Sequence, residues 1–414
     1  MRNQMRIGML AAGIWRSVHL DVAKALQRSG NEVHVFTEDQ RLPTVVRLSR
    51  VEEDGVNIWG IHNEKRNPWV WLPDKLLKPF LGGRRFFTSL IAIANFISRT
   101  RCDIYMVEGD GLGKFVALLA PFMGIRWVLC VHDHENLGVT LGYPGEPTSW
   151  LKARVKKWVF SRADGLRANS RVTRDVMIKA GIGPERITVI PLHCIDRMLL
   201  NEDMALFRAQ ARTSVIQGHG LQEHCRIALI MCRLTPFKGI ELAIQGFALA
   251  VRASPEAVLL VCGGDRQVEG LGSYRQHLEG IARELKLDAK VIFTGNIESQ
   301  QVKQYYAAAD LHLVPSWIET FNYSAVEAAL LGTRTLMTDK IGSGAWLSET
   351  GAAIVLIGRG IEAFGGAMGR LLMTQAGTDE MRTIAQCTER VLNVDESALH
   401  LLQWFRQHAP ATVA

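Results

Sequence analysis

Residues 6–37 read RIGMLAAGIWRSVHLDVAKALQRSGNEVHVFT. A short apolar run, RIGML, is followed by a segment with helical spacing that Gly30 closes, and then by a second apolar run, EVHVFT. Strand, glycine-stopped helix and strand form the unit from which parallel sheets are built. The pattern continues outward, with strand-like runs at 104–107, 126–131, 165–168 and 188–190. Residues 197–225 read as irregular and polar. The alternation then restarts in RIALIMCRL, AVLLVCGG, KVIFTG, DLHLVPS and RTLMTD, each of the first four followed by a helical segment. A chain of 414 residues exceeds one ordinary core. The expected fold class is therefore α/β, with two doubly wound Rossmann-like domains facing a cleft. They span 1–195 and 196–394, and a last helix within 395–414 could cross back to the first domain.

Composition narrows the class of protein. Apolar residues make up 48% and charged residues 21%, the balance of a folded globular chain rather than a disordered one. Seven scattered cysteines without a C-x-x-C read as reduced thiols, which points to the cytoplasm. The start reads as a first strand and not as an export signal, and the longest apolar stretch, 112–131, is broken by Lys114, Pro121 and Arg126. The net charge of +7 is concentrated in two basic stretches of the first half, 65–101 and 152–174.

In open α/β sheets ligands sit beyond the carboxyl ends of strands, so the informative residues follow strands. Arg233 and Lys238 stand around a turn that opens a helix. Cations there oppose the helix dipole by about 0.3–1 kcal/mol, and a bound anion would reverse that penalty. A guanidinium fork and a movable ammonium suit a diphosphate, solvated surface cations being the alternative. After DLHLVPS comes a loop, 317–321, and a helix that begins at Asn322 or Tyr323 and ends at Gly332, its first amides forming an anion site without any side chain. Glu319 lies in that loop. Glu327 lies inside the helix among Ala325, Val326, Ala328, Ala329, Leu330 and Leu331, so its carboxylate requires donors, either ribose-like hydroxyls or a basic side chain. His132 follows a first-half strand, placed to touch a sugar hydroxyl or to serve the structure. The consecutive His132, Asp133 and His134 do not converge as metal ligands do. The loop AAGIWRS offers Gly13 alone, too little for a dinucleotide fingerprint.

Taken in order, R-L-x-x-x-K-G (Arg233, Lys238, Gly239), F-T-G (293–295), A-A-D (308–310) and E-x7-E (Glu319, Glu327) resemble the large retaining glycosyltransferase family with the GT-B fold, family 4. The resemblance is strongest over 226–347. It implies a UDP- or GDP-linked sugar donor whose diphosphate meets Arg233, Lys238 and the amides of Asn322 and Tyr323 beside Phe321. It also implies that Glu327 takes the ribose, Glu319 the transferred sugar, the backbone near Ile297 the base, His132 the donor sugar, and the Gly13 loop the phosphates. This chain departs from the family in three places: Asn322 stands where glycine is usual, Gly13 lacks its usual partner glycine, and IPLHCID replaces IPNGVD at the domain junction.

The sequence has no D-x-D and no cluster of metal ligands, so cations and helix amides would stabilise the leaving diphosphate. The expectation is metal-independent transfer without a cofactor; retention, by a front-face route, is implied by the resemblance. Residues 67–97 mix Trp69, Trp71, Phe86 and Phe87 with Lys75, Lys78, Arg84 and Arg85, which suits an anionic membrane surface, or else a core helix with solvated lysines. That points to peripheral attachment at the cytoplasmic face of the inner membrane and to a glycan or lipid-linked acceptor in envelope or exopolysaccharide synthesis. No nucleic-acid motif is present. The competing readings are a sugar-nucleotide epimerase, a pyridoxal-phosphate phosphorylase, and a non-catalytic sugar-nucleotide-binding subunit.

Overall fold

The computed structural model describes residues 4–13, 18–38, 49–60, 86–144, 146, 149–194, 198–200, 203–374 and 376–409. Two compact units emerge. One comprises Met1–Val139, Pro147–His193 and Val394–Ala414, and the other Thr140–Glu146 and Cys194–Asn393.

In the first unit the strands are β1 (Arg6–Ala11), β2 (Glu32–Thr37), β3 (Ser49–Glu53), β4 (Val56–Gly60), β5 (Ile104–Glu108), β6 (Trp127–Val131), β7 (Gly165–Ala168) and β8 (Ile187–Val189). They form one sheet in the order β3-β4-β2-β1-β5-β6-β7-β8, parallel except for the β3–β4 hairpin. Its helices are α1 (Val18–Arg28), α2 (Phe86–Thr100), α3 (Asp110–Met123), α4 (Trp150–Arg162) and α5 (Arg171–Lys179). Right-handed crossovers put α2, α3 and α4 on one face of the sheet, where α3 packs between the other two.

The second unit carries α6 (Met204–His219), β9 (Arg226–Met231), α7 (Ile240–Ala253), β10 (Ala257–Cys262), a short ladder of β11 (Gln267–Val268) and β12 (Gly272–Ser273), and α8 (Tyr274–Glu284). It continues with β13 (Val291–Gly295), α9 (Val302–Ala308), β14 (Leu311–Val314), α10 (Tyr323–Leu330), β15 (Thr335–Thr338), α11 (Gly344–Glu349), β16 (Ala353–Leu356), α12 (Ile361–Met373) and α13 (Thr378–Val391). The six-stranded sheet runs β13-β10-β9-β14-β15-β16, all parallel. That is the doubly wound order 3-2-1-4-5-6, which reverses between β9 and β14. Helices on both faces explain why β10 and β14 are buried end to end and read as unbroken apolar runs.

The last helix, α14 (Val394–His408), belongs to the first unit. It packs on α1, and its Ala398, Leu401, Leu402, Trp404 and Phe405 join the core formed by β1, β2 and α1. Burying rings such as Trp404 and Phe405 contributes about 1.5–3 kcal/mol each.

Residues 197–225, expected to be irregular, contain the sixteen-residue helix α6. The helix lacks an apolar stripe, since only Ala211 and Val215 are buried. Arginine hydrogen bonds hold it instead. Arg208 donates to the carbonyls of Leu331 (2.6 Å) and Ala309 (3.0 Å) and to Thr333 Oγ1 (2.7 Å), while Arg212 donates to Ala308 O and Asp310 Oδ2, both at 3.0 Å. These two side chains satisfy carbonyls left open at the ends of α9 and α10.

Two buried histidines make the fold pH-sensitive. Burial lowers His312 to about 3 and His134 to about 4, so both are neutral in the native state. The unfolded chain protonates them near the ordinary value of about 6.5. Their contribution is therefore complete above that pH and is lost as pH falls toward 4. We expect the melting temperature to drop between pH 7 and pH 5, and His312→Gln to flatten that dependence; an unchanged slope in the variant would show that His312 is not the group titrating.

Candidate functional site

The reversal between β9 and β14 leaves a gap at their carboxyl ends, and the segments leaving both strands converge there. After β9 the chain makes a 3-10 turn, Pro236–Lys238, capped by Gly239. After β14 it runs through Pro315–Asn322 into α10. Trp317 N donates to Phe237 O at 2.9 Å, which ties the two segments together.

Lys238 Nζ meets Glu319 Oε1, and Ser316 Oγ donates to the same oxygen at 2.9 Å. Each partner's side chain is 14% exposed. The Glu319 backbone is fixed as well, because Glu319 N donates to Lys340 O (2.9 Å) and Gly342 N to Glu319 O (3.0 Å). The two residues that the sequence assigned to different parts of a ligand thus hold each other here. Arg233, in the same segment, is exposed and makes no ion pair among the described residues.

Gly239 is fixed by its surroundings. Its φ is +62°, and a Cβ built there lies 2.4 Å from both the Pro315 carbonyl oxygen and a guanidinium nitrogen of Arg359. Arg359 donates to that same carbonyl and stacks 4.1 Å above the Trp317 ring. It leaves the loop after β16 and had no recognised signal in the sequence, although it too follows a strand. Gly263 is confined in the same way, at φ +152° with a hypothetical Cβ 1.7 Å from Cys232 O, so the CGG stretch is a close approach of loops after β10 and β9.

Asn322 caps α10 from φ +79°, a left-handed conformation that asparagine tolerates better than most residues. Its Oδ1 accepts from Ala325 N at 2.9 Å and from Ser324 Oγ at 3.1 Å. The side-chain oxygen of Asn322 thus occupies the amide of Ala325 and not those of Asn322 and Tyr323, the two named for the anion site. Phe321 is 2% exposed, with its ring packed 5.4 Å from Tyr323 and 6.1 Å from Trp346, so it anchors the loop from within the core. Glu327 is 9% exposed, and the buried Tyr306 hydroxyl hydrogen-bonds it. Burial first and that carboxylate second hold the phenol well above its usual range. One donor that Glu327 required is therefore supplied by the protein. Ile297 is half-buried in the loop after β13, beside Gly295, whose carbonyl accepts from Gly263 N at 2.7 Å. The segment Thr140–Glu146 also belongs to this unit, with the Tyr143 ring 5.9 Å from Phe237.

The first unit has its own reversal, between β1 and β5. Gly13 follows β1 and is exposed; the rest of its loop, 14–17, lies outside the described residues, as do Trp69, Trp71, Lys75, Lys78, Arg84 and Arg85. His132, after β6, places Nε2 2.5 Å from Glu108 Oε2, and His19 Nδ1 lies 3.4 Å from Glu108 Oε1. Burial alone would raise the Glu108 carboxyl, but His19 and His132 outweigh it and hold the group well below the usual carboxylate range. Asp133 pairs instead with the buried Lys156, and His134 faces Thr173 Oγ1 at 3.0 Å. Possible ligand atoms of His19, Glu108 and His132 all lie within 4.8 Å of one another, a convergence absent from the sequence reading. They come from three elements, which sequence spacing could not reveal. The 2.5 Å contact is a hydrogen bond, shorter than the roughly 3.3 Å between neighbouring ligands around tetrahedral zinc.

Gly239→Ala should cost about 1–3 kcal/mol in stability and displace Lys238, read as a lower melting temperature. A variant that melts like the parent would show that the turn relaxes freely.

Comparison with known proteins places these features. The sequence profile described as "Glycosyl transferase 4-like domain" matches residues 12–193, and "Glycosyl transferases group 1" matches 212–385. The D-inositol 3-phosphate glycosyltransferase of Corynebacterium aurimucosum is 27% identical over 323 residues, 76% of this chain and 72% of that protein. The chain spans only 38% and 49% of the lengths of two other curated relatives. Among solved structures, sucrose-phosphate synthase from Thermosynechococcus elongatus superposes with a TM-score of 0.72 at 19% identity, covering 97% of this chain and 98% of that one. Anabaena HepE in complex with UDP and glucose gives 0.66 at 18% identity, over 97% and 100%. At these identities the likeness is one of fold.

Proposed function

As the chain belongs to the glycosyltransferases, its first unit matched by the 4-like domain and its second by group 1, we propose that it takes a hexosyl group from a nucleoside-diphosphate sugar. The acceptor is a hydroxyl of a glycan or lipid-linked saccharide, and transfer proceeds with retention of configuration and without a metal. The observation that carries this reading is the convergence of Lys238 and Glu319 at the β9–β14 reversal. A diphosphate sugar offers both residues new partners. Lys238 exchanges the Glu319 carboxylate for phosphate oxygens, and the freed carboxylate accepts sugar hydroxyls. Arg233, exposed and without an ion partner among the described residues, adds a second cation, and the first amides of α10, at Asn322 and Tyr323, add dipoles.

These groups stabilise charge as it builds on the leaving diphosphate, which is where such catalysis gains most. Glu327, already oriented by Tyr306, binds the ribose. The backbone near Ile297 meets the base, and His132, oriented by Glu108, meets the donor sugar; Gly13 approaches the phosphates. The UDP and glucose seen with HepE support a uridine donor. The relatives' names point to phosphorylated small acceptors as a second reading, which the basic first half would also suit.

Purified protein given UDP-glucose should release UDP and transfer glucose, and Lys238→Ala should lower turnover at least about a thousandfold, on the scale of losing a main oxyanion-stabilising group. Circular dichroism of that variant should match the parent. Near-normal turnover would contradict the diphosphate role, and binding without any turnover would make the chain a non-catalytic binder. Transfer should persist in EDTA. A loss that added zinc or manganese restores would place a working ion on His19, Glu108 and His132.

A further inference from the structure

Among the described residues of the first unit, the large apolar side chains most open to solvent are Ile91 (46%), Leu118 (39%), Phe122 (91%), Trp150 (72%), Leu151 (62%), Val155 (45%) and Leu399 (46%). All but Leu399 lie on α2, α3 and α4, neighbouring helices on one face of the sheet. α4 buries Ala153, Val159 and Phe160 as a surface helix should, but two features of its first two turns are unusual. It turns a lysine inward, Lys156, paired with Asp133 and donating to Glu135 O at 2.9 Å, while Trp150, Leu151 and Val155 point outward. Between them on the outer side stand Lys152 and Arg154, the latter's guanidinium 5.1 Å over the Trp150 ring. Across all three helices the only acidic residue is Asp110, against Arg99, Lys114, Lys152, Arg154, Lys156, Lys157 and Arg162.

A face meant for water would carry mixed charges, and a protein–protein patch would be expected to shed its lysines. Outward tryptophan, leucine and phenylalanine interleaved with exposed cations such as Lys152 and Arg154 fit a different phase boundary. Each ring or aliphatic chain can sink past the headgroups, and each cation is attracted to anionic lipid. We propose that the α2–α3–α4 face docks onto an anionic lipid bilayer through Trp150, Leu151 and Phe122, with Lys152 and Arg154 on the headgroups. The proposal deepens the lipid-linked acceptor reading above, because it holds the enzyme where such an acceptor resides.

The test is co-sedimentation of the full chain with phosphatidylcholine vesicles, and with vesicles containing a third phosphatidylglycerol, at physiological salt. Binding to the anionic vesicles alone is expected. A Trp150→Ser, Leu151→Ser, Phe122→Ser variant should bind at least tenfold more weakly, and so should a Lys152→Glu, Arg154→Glu variant. Because these positions are exposed, glucose transfer to a free saccharide without vesicles should be unchanged in both. Absence of binding by the parent, or parental binding by both variants, overturns the docking face and leaves the transferase reading standing. A dimer in light scattering that the serine variant abolishes assigns the face to a second copy of the chain and overturns the proposal likewise. Vesicle binding without transfer to any lipid-linked saccharide would support docking and remove only the acceptor reading.

Discussion

The ion pair between Lys238 and Glu319 is the constraint on which the second unit turns. Neither charge is well hydrated, and removing one partner would leave the other unpaired in a place water barely reaches. The pair exists because two strands with diverging crossovers end side by side, and because a glycine at position 239 lets one loop pass against the carbonyl of Pro315. A carbonyl, a guanidinium and a glycine thus set the distance at which ammonium and carboxylate meet. The arrangement is polar and closely held, a character that suits a pocket for a charged ligand.

Much of this was legible in the sequence because its physical cause is local. Strands covered on both faces must be apolar throughout, so β9, β10 and β14 announced themselves. Helix stops at Gly30 and Gly332, and the Arg233–Lys238 spacing beside a strand end, followed from backbone chemistry alone. Glu327 was legible as a problem, a carboxylate among alanines and leucines, but its partner was not, since Tyr306 belongs to another helix.

What stayed hidden has causes that are not local. Helix α6 shows no stripe because its attachment is made by Arg208 and Arg212 to carbonyls about 100 residues away, a bond that leaves no periodicity. His19, Glu108 and His132 come from α1, the end of β5 and the residue after β6, and only the sheet order brings them together. Arg359 is a cation in a glycine-flanked loop, indistinguishable in sequence from a solvated one. Asn322 looked like a constraint on the backbone and proved to be the cap of α10.

The return of α14 to the first unit makes the second unit an insertion within it. The chain leaves at His193 and comes back at Val394, and the ring pair Trp404 and Phe405 closes the hydrophobic interior begun by β1. During synthesis the amino-terminal half therefore emerges with an open wound in its core, which heals only when the final helix arrives some two hundred residues later. Until that helix has been made, the earliest part of the protein cannot complete its core.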